Sequence, residues 1–435
     1  GPIEKAVKDI CVGDVWLCAG QSNMNFLMRP NPPWSEGVLD WENEVRSADD
    51  PRLRFFTVVP EASHVAKAEA HGLWRTATPL LAGHLSAVPY YFGKGIREAT
   101  GIPVGIIVSA LGGTSIREWS DPEVLRGSPD AETAFSRHAA LRKSNEAALR
   151  DYFENKAPRY HQTALAHMTK PAFAAPYPEP YKGWRSQPSG LFNAMIRPLD
   201  WFPVKGIVWY QGESDTTNSQ IYGERLKQMI AGQRARRSEP ELPFIVVQLA
   251  NHDPVARGKD PAKYKDTWAL LREAQEEVTA LPFTALVVTA DVGHATNIHP
   301  RDKKTVGMRS AKAAAALCYN ASVKASGPIL ESWKLAGQEV HLHFGTAGGD
   351  LMIDKNRSSG NGPAFELAGA DEKFYPARAT ASGSQVILSA PEVPQPVSVR
   401  YAFHNNPALV LYDSEGLPAR PFRRRAGPKE NQSTN

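Results

Sequence analysis

The sequence predicts an α/β fold with a mainly parallel sheet, followed by a small all-β domain at the C-terminal end. Three observations predict it. Six short apolar segments rich in Val and Ile do not alternate with polar residues, which is the pattern of strands buried on both faces. Helical patterns lie between several of them, as crossover connections require. From about residue 325 the helical periodicity stops, and short strand-like pieces punctuated by Gly, Pro, Asn and Asp take over.

The elements follow in chain order. VWLCAG (15–20) and RFFTVV (54–59) are the first two strands, and a helix is expected over about 83–99. VGIIVSALGG (104–113) is the third strand. Residues 120–190 then read as an insertion, with a helical stretch over 129–155 and a Pro- and Tyr-rich loop, PAFAAPYPEPYKGW. A loop of this length is often functional; a cleft wall and a surface excursion are both open. GIVWYQG (206–212), FIVVQLA (244–250) and TALVVTADVG (284–293) complete the set, with helices expected over 219–237, 264–279 and 301–318. The domain reading is 11–325 for the α/β domain and 326–425 for the β domain. The latter holds VHLHF, AFELAG, QVILSA, VSVRYAF and ALVLYD. Residues 414–425 are expected to return toward the first domain, and the polar 426–435 to be a disordered tail.

Composition excludes several classes. Fifty basic and 46 acidic residues leave a net charge of +4 over 435 residues, with no basic stripe. Nucleic acid is therefore not an expected partner, and Arg423, Arg424 and Arg425 read as a solvated end. No apolar run reaches about 18 residues, so no membrane span is expected. Three cysteines, Cys11, Cys18 and Cys318, make neither a disulfide framework nor a zinc motif. His294 and His299 lack a third ligand at a recognisable spacing, and no metal is expected.

Ligands of open α/β sheets bind beyond the carboxyl ends of the strands. There the strands deliver Gln21-Ser22-Asn23, Gly112-Gly113-Thr114-Ser115, Gln211-Gly212-Glu213-Ser214-Asp215, and Asp291 with a loop to His299. Each has a plain structural explanation. Ser22 reads as a helix N-cap, the glycines as a turn, and Glu213 and Asp215 as first-turn helix acids. Together at one sheet edge they read as chemistry. A serine needs a base to become a nucleophile, and His299 supplies one. The backbone N–H groups of Ser22 and the Gly112-Gly113 turn and the side-chain amide of Gln211 are donors for an oxyanion.

The segments GDVWLCAGQSNM, VGIIVSALGGTSIREW, LFNAMIRPLDWFPVKGIVWYQGESD, PFIVVQLA and IHPRDKKTVGMR, in that order, resemble the sialate O-acetylesterase family of SGNH-type hydrolases. VRYAFHNNPALVLYDSEGLPARPFR resembles that family's C-terminal end. The resemblance implies a three-layer α/β/α fold, Ser22 as nucleophile and His299 as base. It also implies an oxyanion hole from Ser22, Gly112, Gly113 and Gln211. Implied too are removal of O-acetyl groups from sialic acids or other sugars such as xylan or xyloglucan, no cofactor, and a secreted or periplasmic location.

One position departs from the pattern. SGNH hydrolases place an acid three residues before the histidine, and close relatives two before it; here those residues are Thr296 and Asn297. Two arrangements are open. A backbone carbonyl, that of Asn297, orients His299 and leaves a Ser–His dyad, or Asp291 folds back to the ring. Further candidates around the site are Gln21, Asn23, Asn193 and Glu213, with Arg117 and Arg301 as ligands for a sugar carboxylate. Trp34, Trp74, Trp119, Trp184 and Tyr177 are candidate stacking faces for sugar rings.

Overall fold

The apolar run of the first predicted strand becomes the middle of a seven-stranded sheet. In the computed structural model, β1 is Asp14–Gly20, β2 Asp50–Val58, β3 Gly72–Ala77, β4 Val104–Ala110, β5 Gly206–Tyr210, β6 Phe244–Val247 and β7 Thr284–Val287. The structure describes residues 9–158, 162, 183–319, 322–346 and 349–426. The strand order is β3-β2-β4-β1-β5-β6-β7, and every pair is parallel except β2–β3. Val208 in β5 and Phe244 to Val247 in β6 are fully buried, as strands covered on both faces must be. The helices Ala87–Thr100, Ser219–Arg237, Thr267–Glu276 and Lys303–Cys318 match four predicted segments, with ends shifted by a few residues.

Two details differ from the sequence reading. The edge strand β3 was not foreseen. It is antiparallel, and Leu73, Trp74 and Arg75 are exposed, so it carries no buried apolar run to announce it. The apolar segments also leave the ladder before they end. LGG, QG, QLA and TADVG become loops at the carboxyl edge, where the polar residues of interest sit.

The C-terminal strands form three antiparallel groups. Arg378–Ser382, Gln385–Ser389, Glu339–Gly345 and Ile329–Ala336 make one sheet, in that order. Phe374–Pro376, Phe365–Ala368, Ser398–Tyr401 and Phe422–Arg425 make a second, and Met352–Ile353 pairs with Leu411–Tyr412. Their apolar faces share a core with Val288 and Ala290, just beyond β7. The turn His404–Asn406 ties them to the α/β body. Asn251 Nδ2 donates to Asn406 Oδ1 at 2.6 Å, the Trp268 N–H donates to Asn405 Oδ1 at 3.0 Å, and Arg272 donates to the His404 carbonyl. Arg423 reaches Glu273 at 2.7 Å, so the 414–425 segment both closes a β-sheet and touches the α/β body. The expected disordered tail beyond residue 426 lies outside the described residues.

The chain divides into two compact units. One comprises residues 1–59, 71–116 and 200–435, so it holds the large sheet and the C-terminal strands. The other comprises 60–70 and 117–199. Within the second, the helix Pro129–Asp151 runs into a π-helical turn, Tyr152–Lys156, and a second π-helical segment spans Phe192–Ile196. Most of the Pro- and Tyr-rich loop, with Tyr177, lies outside the described residues. Among those described, no helix is long and apolar enough to cross a membrane.

Candidate active site

The geometry begins with Gly20, the last residue of β1. Its φ is +143°, and a Cβ there would stand 2.1 Å from the Tyr210 carbonyl oxygen, so only glycine fits. The chain turns at once. The Gln21 N–H donates to the Tyr210 carbonyl at 3.1 Å, and Met24 and Asn25 donate back to the Gln21 carbonyl. No helix starts here, so the N-cap reading of Ser22 and the helix N-terminus expected for its N–H both give way to a turn. The turn pushes Ser22 to a partly exposed position between two buried residues, Gln21 and Asn23.

His299 meets it. Its Nε2 lies 2.9 Å from Ser22 Oγ, with the two residues on opposite sides of the molecule's sequence but on neighbouring loops. Burial, with the charges of Lys303, His252 and Arg257, holds the imidazole down to about 4. The ring is therefore neutral at ordinary pH, and one of its two nitrogens is a hydrogen-bond acceptor. Gly112 comes from the loop after β4 and sits directly against the serine: a Cβ there would be 3.1 Å from Ser22 Cβ. Gly113 has φ +73° and open space where a side chain would be. Among the described residues, the N–H groups of Ser22, Gly112 and Gly113 have no hydrogen-bond acceptor.

Neither orienter expected for His299 holds its ring. Asp291 is committed elsewhere: its two oxygens take Arg309 Nη1 and Nη2 at 2.7 Å each, a buried bidentate pair. A guanidinium that deep needs a counter-charge, and Asp291 supplies it. The Asn297 contact is also different from the one expected. Its side-chain Oδ1 accepts the backbone N–H of His299 at 2.9 Å, so Asn297 shapes the loop and not the ring. Among the described residues, His299 Nδ1 has no acceptor.

The Gln211 amide is not aimed at an oxyanion either. The residue is fully buried, and its amide turns inward. Nε2 lies 2.6 Å from Asp215 Oδ2, 3.0 Å from the Thr114 carbonyl and 3.1 Å from Gln21 Oε1, while Oε1 accepts from the Tyr222 hydroxyl at 3.1 Å. Asp215 draws the amide away: a buried carboxylate needs donors, and it takes this one and the Ile116 N–H at 2.8 Å. Gln21 accepts from Gln211 and from the Gly212 N–H, stitching the end of β1 to that of β5. Gln21, Gln211 and Asp215 thus hold the loops in place.

Other candidates separate. Asn23 and Glu213 meet at 2.5 Å beside the serine turn. Arg301 donates to the Gly37 and Val38 carbonyls at 3.0 Å each and bonds Glu36, so it clamps a loop. Arg117 and Asn193 belong to the second unit. There Arg117 pairs with Glu118, and Asn193 donates to the Ser63 carbonyl at 3.0 Å. Trp119 is buried in the core, and Trp74 lines a hollow with Asp14 and Val104, which start β1 and β4, so it sits at the opposite end of the strands from Ser22. Among the described residues no group of three or more His, Cys, Asp or Glu is arranged to hold a metal.

Sequence reasoning passed over Lys303, His252 and Arg257. Lys303 looked like one of many helix lysines; only its fully buried position distinguishes it. His252 and Arg257 lie after β6, in a segment with no recognisable motif, yet both act on His299 through their charge.

Comparison with known proteins points one way. A family described as carbohydrate esterase, sialic acid-specific acetylesterase, matches residues 12–157 and 179–316. A sialate O-acetylesterase of Rattus norvegicus is 27% identical, over 96% of this chain and 78% of its own length. That of Homo sapiens is 26% identical, over 96% and 76%. Among solved structures, a carbohydrate acetylesterase from Xanthomonas citri aligns with a TM-score of 0.76 at 33% identity, covering 95% of this chain and 81% of its own.

Proposed function

This chain belongs to the sialic acid-specific acetylesterase family of carbohydrate esterases and is a carboxylic ester hydrolase acting on O-acetyl groups, and we propose that it removes them from sialic acids through Ser22, His299 and an acetyl-enzyme intermediate. The observation that carries the mechanism is the 2.9 Å contact between Ser22 Oγ and His299 Nε2, next to the backbone of Gly112. Ser22 attacks the acetyl carbonyl carbon as its proton passes to Nε2. The oxyanion that forms lies against the unpaired N–H groups of Ser22 and the Gly112-Gly113 turn. The tetrahedral intermediate collapses, the bond to the sugar oxygen breaks, and His299 returns the proton to that oxygen. Water then attacks the acetyl-serine with His299 again as base, and acetate leaves. The reaction runs as a dyad, so His299 relies on its loop for orientation where a triad uses a carboxylate.

Arg257 supports the sialic acid reading. It is exposed, acts electrostatically on His299, and has no acidic partner among the described residues, as a site for the sugar carboxylate needs. A second reading, a neutral acetylated polysaccharide such as xylan or xyloglucan, draws on Trp34. That ring is 74% exposed, in the loop whose far end Arg301 clamps, and offers a stacking face. The test is acetate release from 9-O-acetyl sialic acid, acetylated xylan and acetylated xyloglucan, by the wild type, Ser22→Ala and Arg257→Ala. Sialate is expected to be the preferred substrate, with KM raised in Arg257→Ala and activity abolished in Ser22→Ala. Preference for either polymer, untouched by Arg257→Ala, overturns the sialate reading; turnover by Ser22→Ala overturns the mechanism.

A further inference from the structure

A buried cluster joins the serine turn to the histidine loop, and the reaction described above makes no use of it. Lys303 opens the helix Lys303–Cys318 and is 0% exposed. Its ammonium donates to Asn23 Oδ1 at 2.8 Å and to the Pro300 carbonyl, and stands 4.7 Å from the centroid of the Phe26 ring. Asn23 Nδ2 donates in turn to Glu213 Oε1 at 2.5 Å and to the Ile298 carbonyl at 3.0 Å. The residue after Ser22 is thereby bonded, directly or through one ammonium, to the residues on both sides of His299. Glu213 Oε2 is buried with no partner among the described residues, so the carboxylate's side-chain bond is the one to Asn23.

Burying an ammonium costs free energy unless it is paired and hydrogen-bonded. A methionine of similar length would pack against Phe26 without that cost. We propose that Lys303 is a positioning residue of the esterase reaction: held between Asn23 and the Pro300 carbonyl, it fixes the separation of Ser22 and His299, with Glu213 locking Asn23 in place. The inference rests on the Ser22–His299 reading.

Two consequences follow. The first is geometric. Misplacement of a reacting group by about 1 Å costs on the order of 10²-fold in rate, and the clamp spans the gap between the two loops that must stay in register. The second is electrostatic. The groups that face Lys303 are the carboxylates of Glu213 and Asp302, the Phe26 ring and the His299 imidazole. Its charge is one reason that imidazole stays neutral. Burial brings Lys303 itself down to about 7. A neutral amine still has two N–H donors for its two oxygen acceptors, so the clamp outlasts the charge.

The test compares Lys303→Met with the double variant Lys303→Met/Glu213→Gln, which leaves no lone buried charge, and with Ser22→Ala. Kinetics with 4-nitrophenyl acetate are read across pH, and circular dichroism melting reports the folded fraction. In a folded variant kcat is expected to fall about 10²-fold, with KM nearly unchanged. The acidic limb of kcat/KM moves to higher pH, because a cation beside His299 is gone. A lysine that only stabilised the fold would lower kcat in proportion to the folded fraction and no further. Either that result or a folded variant with near-wild-type kcat overturns the proposal. Activity in Ser22→Ala removes the underlying reading as well; an inactive Ser22→Ala beside an active Lys303→Met removes the clamp alone.

Discussion

Asp291→Asn separates a stability role from a catalytic one. The substitution keeps the shape of the side chain and removes its charge from Arg309, which it grips through two bonds of 2.7 Å with side chains 13% and 4% exposed. Removing one partner of such a pair costs about 3–5 kcal/mol, because the other charge stays buried and uncompensated. Arg309 retains its bond to the Val288 carbonyl at 3.0 Å, and the new amide oxygen still accepts one N–H, so the loss falls near the lower bound, about 3 kcal/mol. Neither Ser22 nor His299 touches this pair, so kcat of the folded variant stays within about twofold of wild type. Urea unfolding followed by tryptophan fluorescence measures the first quantity, and 4-nitrophenyl acetate turnover on the folded protein the second. An Asp291→Asn variant as inactive as Ser22→Ala, with an unchanged unfolding midpoint, refutes the reasoning and makes Asp291 the acid of a triad.

Two more expectations concern the site. His299 is held at about 4, below its ordinary 6.5, and only the neutral imidazole accepts the serine proton. Activity is therefore full at neutral pH and falls as pH drops through about 4; an acidic limb of kcat/KM near 6.5 contradicts the buried, cation-flanked ring. Gly112→Ala puts a methyl 3.1 Å from Ser22 Cβ and displaces the nucleophile or the turn, so kcat is expected to fall on the order of tenfold or more. Wild-type kcat in that variant, measured with the same ester, shows that the glycine is not in contact with the working serine.

The chain by itself determined the α/β class, six of the seven strands of the main sheet and, among the described residues, its five longest helices. Burial on two faces writes long apolar runs, and these are legible without coordinates. It also determined which residues stand at the carboxyl edge, since Gly20, Gly112 and Gly212 mark where strands must break close to one another. Ser22 was flagged by its glycine-ended strand and, with His299, by a resemblance to a known family, and the fold brings the two within 2.9 Å. β3 was not legible, because an edge strand with one wet face carries no such run.

What tertiary structure alone decided is which polar groups are already spent. Gln211 and Asp291 have the right chemistry for the roles expected of them, yet Asp215 and Arg309 claim them first, and Asn297 meets His299 through its side chain and the backbone N–H, not through a carbonyl on the ring. Lys303 has a sequence context no different from Lys304 beside it. One is fully buried against Asn23 and Phe26, and the other reaches out to Glu44. A residue's type sets what it can donate or accept. The desolvation of its neighbours, which depends on contacts far apart in the chain, sets where that capacity goes.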